Sequence, residues 1–253
     1  MLVAERQSKI VNLVNERKSV RVSELSKLFS VTEETIRRDL EKLENEKKLA
    51  RSHGGAVSIQ STDSFEIPYT TREIMNVQEK KEIALEAVKH VAVGDKVILD
   101  ASTTAWYMAK ALPNISITVL TNSIKVAMEL SSKNEITVIS TGGTLLSESL
   151  SYAGPLAESS MDSYYLNKAF ISCKGLHLEQ GISESQEQQA RVKMKMIEKA
   201  DTVYLMMDHS KLGAQAFSKI GDLDVVDYVI IDSNVDRRMV ERLEDRGISV
   251  VEV

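Results

Sequence analysis

Two groups of residues in this 253-residue chain have the types and spacing to do chemistry. Thr35, Arg37, Arg38 and Lys42 share one side of a helical stretch whose other side carries Ile36, Leu40 and Leu43. Adjacent arginines present rigid forks that meet guanine O6/N7 or a phosphate bidentately, so one can read a base while the other sets register. The competing use is solvation, with pairing to Glu33, Glu34, Asp39 or Glu41 three or four residues away. The second group is four polar runs that end apolar segments: Asp100-Ala101-Ser102-Thr103-Thr104, Thr121-Asn122-Ser123, Thr141-Gly142-Gly143-Thr144 and Asp208-His209-Ser210-Lys211. Amides and hydroxyls at helix starts cradle phosphate, Lys211 can offset its charge, and Asp100 and Asn122 offer acceptors to sugar hydroxyls. Lys174 and Glu184 are candidates for the same mouth, with capping and solvation as the alternative. Any α/β protein needs such caps; their recurrence is what argues for a site.

The arginine pair needs a scaffold, and the first 57 residues read as one. Ile10, Leu13 and Val14 predict a helix over about Ala4 to Asn15. Val20-Arg21-Val22 reads as an extended link, Ser23 as the N-cap of a second helix with Leu25, Leu28 and Phe29 inward, and Ser30-Val31 as a turn. Thr32 caps a third helix, with Glu33 and Glu34 near the positive end of its dipole. Two short helices around a tight turn form a helix-turn-helix, whose second helix enters the major groove. Lys47 to Arg51 and Ala56 to Ile59 read as strands joined by Ser52-His53-Gly54-Gly55, a wing that sets Lys47, Lys48, Arg51 and His53 against the DNA backbone or minor groove. His53 reads equally as a hydrogen-bonding stabiliser of that hairpin.

The polar runs need a sheet. Residues 1–58 form the first domain, 59–75 a linker containing Gln60 to Ser64 and Pro68, and 76–253 the second domain. A helix is predicted over about Val77 to His90. Strands follow at Lys96–Ala101, Ile117–Thr121, Ile136–Ser140, Ala169–Ser172, Val203–Asp208, Tyr228–Asp232 and Ile248–Val253, mostly separated by helical segments. Strands apolar on both faces and interleaved with helices predict an α/β fold with a mostly parallel sheet. Ligands of such sheets sit beyond the carboxyl ends of the strands, where the polar runs fall.

Charge is divided between the two parts. Residues 1–56 carry 12 Lys and Arg against 9 Asp and Glu; the remainder carries 20 against 28, for a net charge of −5 overall. A local basic module still attracts phosphate, because nearby charges set the field at a groove. No apolar run approaches a membrane span, and the N-terminus lacks a secretory pattern, so a cytoplasmic protein without a membrane partner is expected. The single cysteine, Cys173, suits a reducing compartment and reads as a small core residue. Met194, Met196, Met206 and Met207 read as core filling. Neither Gly-x-x-x-x-Gly-Lys-Ser/Thr nor Gly-x-Gly-x-x-Gly occurs, and the four histidines are scattered, so no cofactor and no metal site is expected.

The chain resembles the DeoR-type, or glycerol-3-phosphate repressor, family of bacterial regulators of sugar metabolism. The resemblance rests on Glu5-Arg6, Val22-Ser23-Glu24-Leu25, Phe29-Ser30-Val31-Thr32, Thr35-Ile36-Arg37-Arg38-Asp39-Leu40, Leu43 and Arg51-Ser52-His53-Gly54-Gly55-Ala56, then on Asp100 to Thr104, Thr121-Asn122, Gly142-Gly143 and Asp208 to Lys211. It departs from the family pattern at Ser102, where glycine is frequent, and at Lys174. The resemblance implies a winged helix-turn-helix joined to a sugar-phosphate sensor similar in fold to ribose-phosphate isomerases. It further implies a homo-oligomer, dimer or tetramer, that binds double-stranded operator DNA as a repressor and responds to a phosphorylated sugar. It implies no enzyme activity. The alternatives are an isomerase-like enzyme using Asp100 or Glu184 as base, and a winged module that binds protein.

Overall fold

A computed structural model of the chain describes residues 3–17, 19–46, 48–52, 54–57 and 67–253. Two compact units divide the chain: residues 1–65 with 70–76, and residues 66–69 with 77–253. The polar stretch 60–64, read above as linker, lies outside the described residues.

The first unit runs α1 (Val3–Arg17), β1 (Ser19–Arg21), α2 (Val22–Phe29), α3 (Glu33–Asn45), β2 (Ala50–Ser52) and β3 (Gly55–Val57). Ile10 and Val14 of α1, Leu25 of α2 and Ile36, Leu40 and Leu43 of α3 are buried together with Val20, Val22, Leu49 and Ala56. Ser30 ends α2 in the left-handed conformation at φ 54°. Thr32 starts α3 by accepting the Thr35 amide hydrogen. Four local expectations are corrected. Val20-Arg21 is no mere link: β1 pairs antiparallel with β3. Helix α2 therefore begins at Val22, with Arg21 in the capping position and no side-chain cap, so Ser23 lies inside the first turn. The apolar stripe then centres on Val22, Leu25 and Phe29, which leaves Leu28 54% exposed. Strand β2 starts at Ala50, later than expected, because the Lys48 amide donates to the Leu43 carbonyl and still belongs to the end of α3.

The glycines of the hairpin have separate reasons. Gly54 sits at φ +90°, which an L side chain resists. At Gly55 a Cβ would stand 2.1 Å from the Val20 carbonyl oxygen, so the close pairing of β3 with β1 demands glycine.

After α4 (Tyr69–Arg72), the second unit contains α5 (Val77–Lys89), β4 (Lys96–Leu99), α6 (Thr103–Ala111), β5 (Ile117–Thr121), α7 (Ile124–Leu130) and β6 (Ile136–Ser140). It continues with β7 (Thr144–Leu146), β8 (Ser151–Ala153), α8 (Pro155–Ser160), β9 (Leu166–Ile171), β10 (Gly175–His177), β11 (Gly181–Glu184) and α9 (Glu187–Glu198). The last elements are β12 (Ala200–Met207), β13 (Ser218–Gly221), β14 (Tyr228–Ile231), α10 (Arg237–Glu244) and β15 (Ser249–Glu252). Seven strands form a parallel sheet in the order β15-β14-β12-β9-β4-β5-β6. These are the seven strands predicted from apolar runs.

Alternation along each strand feeds two cores. Val97, Leu99, Val119, Phe170, Tyr204 and Met206 pack with Ile83 of α5 and Met108 of α6. Ile98, Leu120, Ala169, Ile171, Leu205 and Met207 pack with Val192 and Met196 of α9. Helices therefore cover both faces, as near-continuous apolar strands require. Met194 is a correction: it is 49% exposed, on the outer side of α9, while Met196, Met206 and Met207 are core residues.

The antiparallel sheet β10-β11-β13 and the β7-β8 hairpin were not foreseen. Their strands of three or four residues are too short to show a period. The winding of the large sheet reverses between β4 and β9. From β4 the chain builds outward through β5 and β6, and from β9 through β12, β14 and β15. Such a reversal opens a crevice beyond the carboxyl ends of the two central strands.

Candidate functional site

In the first unit, α3 presents Arg37, Arg38 and Lys42 to solvent, with Thr35 half-buried beside the cap. Arg37 Nη2 lies 2.8 Å from Glu33 Oε2, and Arg38 Nε lies 3.4 Å from Glu34 Oε1. The pairing alternative is thus realised for both, but at the surface, where water screens such pairs and they hold the arginines weakly. Asp39 is no part of that surface. It is buried and accepts from Arg6 Nε at 2.5 Å and from Gln7 Nε2 at 2.9 Å, clamping α1 to α3. Lys48 and Arg51 are exposed and face Glu46 at 2.6 Å and Glu44 at 2.9 Å. Lys47 and His53 lie outside the described residues.

In the second unit, the polar runs follow the carboxyl ends of β4, β5, β6 and β12, but their side chains do different work. Asp100, fully buried, accepts the Ser102 amide with Oδ1 at 3.0 Å and the Ser172 amide with Oδ2 at 2.8 Å, tying the turn after β4 to the turn after β9. It is a tether within the fold, not an acceptor open to a ligand. Ser102 caps α6 by accepting the Ala105 amide hydrogen. Thr103, next to it, is buried in the first turn of α6. The Thr121 hydroxyl donates to the Leu99 carbonyl and accepts from the Ser123 amide, so it too is spent within the fold. Gly143 has a packing reason, since its Cβ would stand 2.7 Å from the Ala153 carbonyl. Gly142, at φ +62°, faces open space.

Two side chains are left wanting. Thr104 Oγ1 and Asn122 Oδ1 are buried and have no hydrogen-bond partner, although Asn122 Nδ2 donates to the Tyr152 carbonyl. A buried polar atom without a partner is costly and points to a missing one. On the other side of the reversal, Lys211 Nζ donates to Ser172 Oγ at 2.9 Å. Ser172 therefore joins Asp100 to Lys211.

The sequence reading overlooked Lys193. Its ammonium, buried under α9, lies 3.0 Å from Asp100 Oδ2 and 2.8 Å from Glu184 Oε2, and it donates to the Ser172 carbonyl at 2.5 Å. Burial alone would lower its pKa; Asp100 and then Glu184 outweigh that and hold it above the ordinary lysine value. Burial pushes the Glu184 carboxyl up, but Lys193 and then Lys174 overcome it and bring it to about 2. Lys174 is half-buried at the mouth. A signal for Lys193 existed in the sequence: it lies three residues from both Ala190 and Met196, on the apolar side of α9. Cys173, beside Ser172, is buried, and that burial pushes its thiol up to about 12, so it is an inert core group. Among the described residues there is no cluster fit to hold a metal ion and no helix long and apolar enough to cross a membrane.

Residues 6–62 match the DeoR-like helix-turn-helix domain, and residues 75–233 match the DeoR C terminal sensor domain. The chain belongs to the DeoR family of transcriptional regulators. It is 61% identical, over its whole length and 98% of the relative, to the uncharacterized HTH-type transcriptional regulator YulB of Bacillus subtilis. It is 33% identical, over 99% of this chain and 96% of the relative, to the HTH-type transcriptional repressor GlcR of the same organism. Ribose 5-phosphate isomerase A of Methanocaldococcus jannaschii overlaps 54% of this DeoR-family chain and 55% of its own at a TM-score of 0.40 and 20% identity. The sheet order and the winding reversal carry the fold assignment; that overlap is too slight to do so. As a DeoR-family member, the chain is a DNA-binding transcriptional regulator with a helix-turn-helix domain and a sensor domain.

Proposed function

We propose that this regulator is a repressor of a sugar-catabolic operon whose hold on operator DNA is relaxed by a phosphorylated sugar bound at the β4/β9 reversal. The observation that carries the reading is the mixture of groups there. Lys211 supplies a cation for phosphate, and Thr104 Oγ1 and Asn122 Oδ1 supply unsatisfied partners for hydroxyls. Repression is the sign carried by the name of GlcR. The first domain spans 1–58 and the sensor 76–253, with 59–75 as linker. Thr35, Arg37, Arg38 and Lys42 meet the major groove, while Lys47, Lys48, Arg51 and His53 meet the backbone beside it. A dimer or tetramer places two or more heads on repeated half-sites. The effector acts by binding the two DNA-binding states unequally, with a coupling of about 1–3 kcal/mol. The protein works in the cytoplasm.

Turnover of the sugar is not part of the reading. An enediol base works best with a pKa near the operating pH. Glu184 is held at about 2, and both Asp100 oxygens are engaged.

The test is release of the full-length protein from the DNA upstream of its own gene by a panel of pentose and hexose phosphates. Release by at least one phosphosugar and not by its unphosphorylated form is expected. Lys211→Ala should abolish that response while leaving DNA affinity intact. Indifference to every phosphosugar, or an unchanged response in Lys211→Ala, overturns the proposal.

A further inference from the structure

Lys193 is the buried charge that the functional reading leaves without a role. Its three acceptors come from three separate places: Asp100 after β4, Ser172 after β9 and Glu184 at the end of β11. The two carboxylates are in turn bound to backbone amides. Asp100 receives the Ser102 and Ser172 amides, and Glu184 Oε1 receives the Ser185 amide at 2.9 Å. One ammonium therefore fixes the turns on both sides of the winding reversal and the end of the small antiparallel sheet.

We infer that Lys193 is a positioning residue of the sensor mouth: by bridging Asp100 and Glu184 it locks the turns after β4, β9 and β11 in the arrangement that receives the effector. The last step rests on the effector site proposed above; the locking does not. Removing the ammonium leaves two buried carboxylates that had shared it; Lys174 still acts on Glu184, but like charges held together in a buried site resist ionising at once. One then takes up a proton near neutral pH, and the amides hydrogen-bonded to the pair report it. A lysine serving only as packing would leave no such titration, since methionine fills the same volume.

The experiment follows the Ser102, Ser172 and Ser185 amide resonances of the full-length protein from pH 5 to 9, in wild type, Lys193→Arg, Lys193→Met and Lys193→Met/Glu184→Gln. No titration is expected in wild type or in Lys193→Arg. In Lys193→Met the three amides should titrate together, departing further from wild type as pH rises. The double variant removes a cation and an anion together, and its Ser102 and Ser172 amides should be displaced without that titration. Unchanged Ser102 and Ser172 amides in whichever methionine variant folds overturns the inference. Failure of both to fold makes Lys193 a folding residue and overturns it too.

Calorimetry with ribose 5-phosphate and glucose 6-phosphate forms a second arm. Where wild type binds either, Lys193→Met should bind it at least tenfold more weakly at pH 8, with recovery toward pH 5.5. Equal binding at both pH values counts against the role. If wild type binds neither, the fault lies with those effectors, and the amide titration still decides Lys193.

Discussion

Arg37 and Arg38 meet solvent already paired to Glu33 and Glu34. Those glutamates suit the first turn of α3, where the helix dipole favours negative charge, but they repel a phosphate backbone. Two opposed outcomes follow for binding to the upstream DNA. Arg38→Ala should weaken affinity and flatten the dependence of log affinity on log salt by about one unit, as loss of a phosphate contact does. Glu34→Gln should tighten binding by roughly threefold, because it removes both a repulsion and a screened competitor for Arg38. Fluorescence anisotropy over a salt series checks both. A Glu34→Gln variant that binds more weakly would show that the glutamate orients Arg38 for contact. The arginines were legible in the sequence because helical spacing separates them from Ile36, Leu40 and Leu43. Asp39, one of four partners that spacing offers the arginines, is instead held by Arg6 and Gln7, 33 and 32 residues away, which no local spacing reveals.

Strand β11 delivers Glu184 to Lys193, and its first residue shows how tightly that delivery is built. Gly181 has φ +78°, and a Cβ there would stand 2.1 Å from the Gly221 carbonyl on β13. Gly213 also has φ +78° but faces open space. Gly213→Ala should therefore cost ~1 kcal/mol of backbone strain, and Gly181→Ala ~3 kcal/mol or more, since carbonyl and strand must also move apart. Denaturant unfolding of the two variants measures the difference. Equal costs would show that β11 and β13 separate freely. This sheet escaped the sequence reading because three- and four-residue strands carry no period, whereas the parallel strands announce themselves as local runs of Val, Ile and Leu.

The two units carry opposite electrostatic burdens, and the sensor stores part of its stability in buried ionised groups. In the folded protein Lys193 and Lys174 bring the Glu184 carboxyl down from its ordinary 4.5 to about 2. A depressed carboxylate stabilises the fold above its unfolded pKa and ceases to do so as pH falls through the folded value. This contribution is complete at neutral pH and is lost between about pH 4.5 and 2. Lys193, raised above its ordinary 10.5 by Asp100 and Glu184, stays charged across that whole window, so the loss follows the protonation of the carboxylate. Acid unfolding followed by circular dichroism should begin below about pH 4.5, and Glu184→Gln should make the profile flatter there. An identical acid profile in wild type and Glu184→Gln would deny the ion pair any share in stability.

The alternation of apolar and polar residues is a local property, so the chain alone specified the helix-turn-helix, the seven parallel strands and the polar runs at their carboxyl ends. It could not say which of those polar groups face a ligand and which hold the fold. Asp100, Ser102 and Thr121 turned out to be spent within the structure, while Thr104 and Asn122 kept unsatisfied atoms. That division depends on where the winding reverses, which brings the Ser172 amide, 72 residues along the chain, onto Asp100. It also depends on the ammonium of Lys193, whose place on the apolar side of α9 is a local property but whose partners, Asp100 and Glu184, are not. Hydrogen bonds and ion pairs are short-range in space but indifferent to distance along the chain, so their partners are fixed only when the sheet closes.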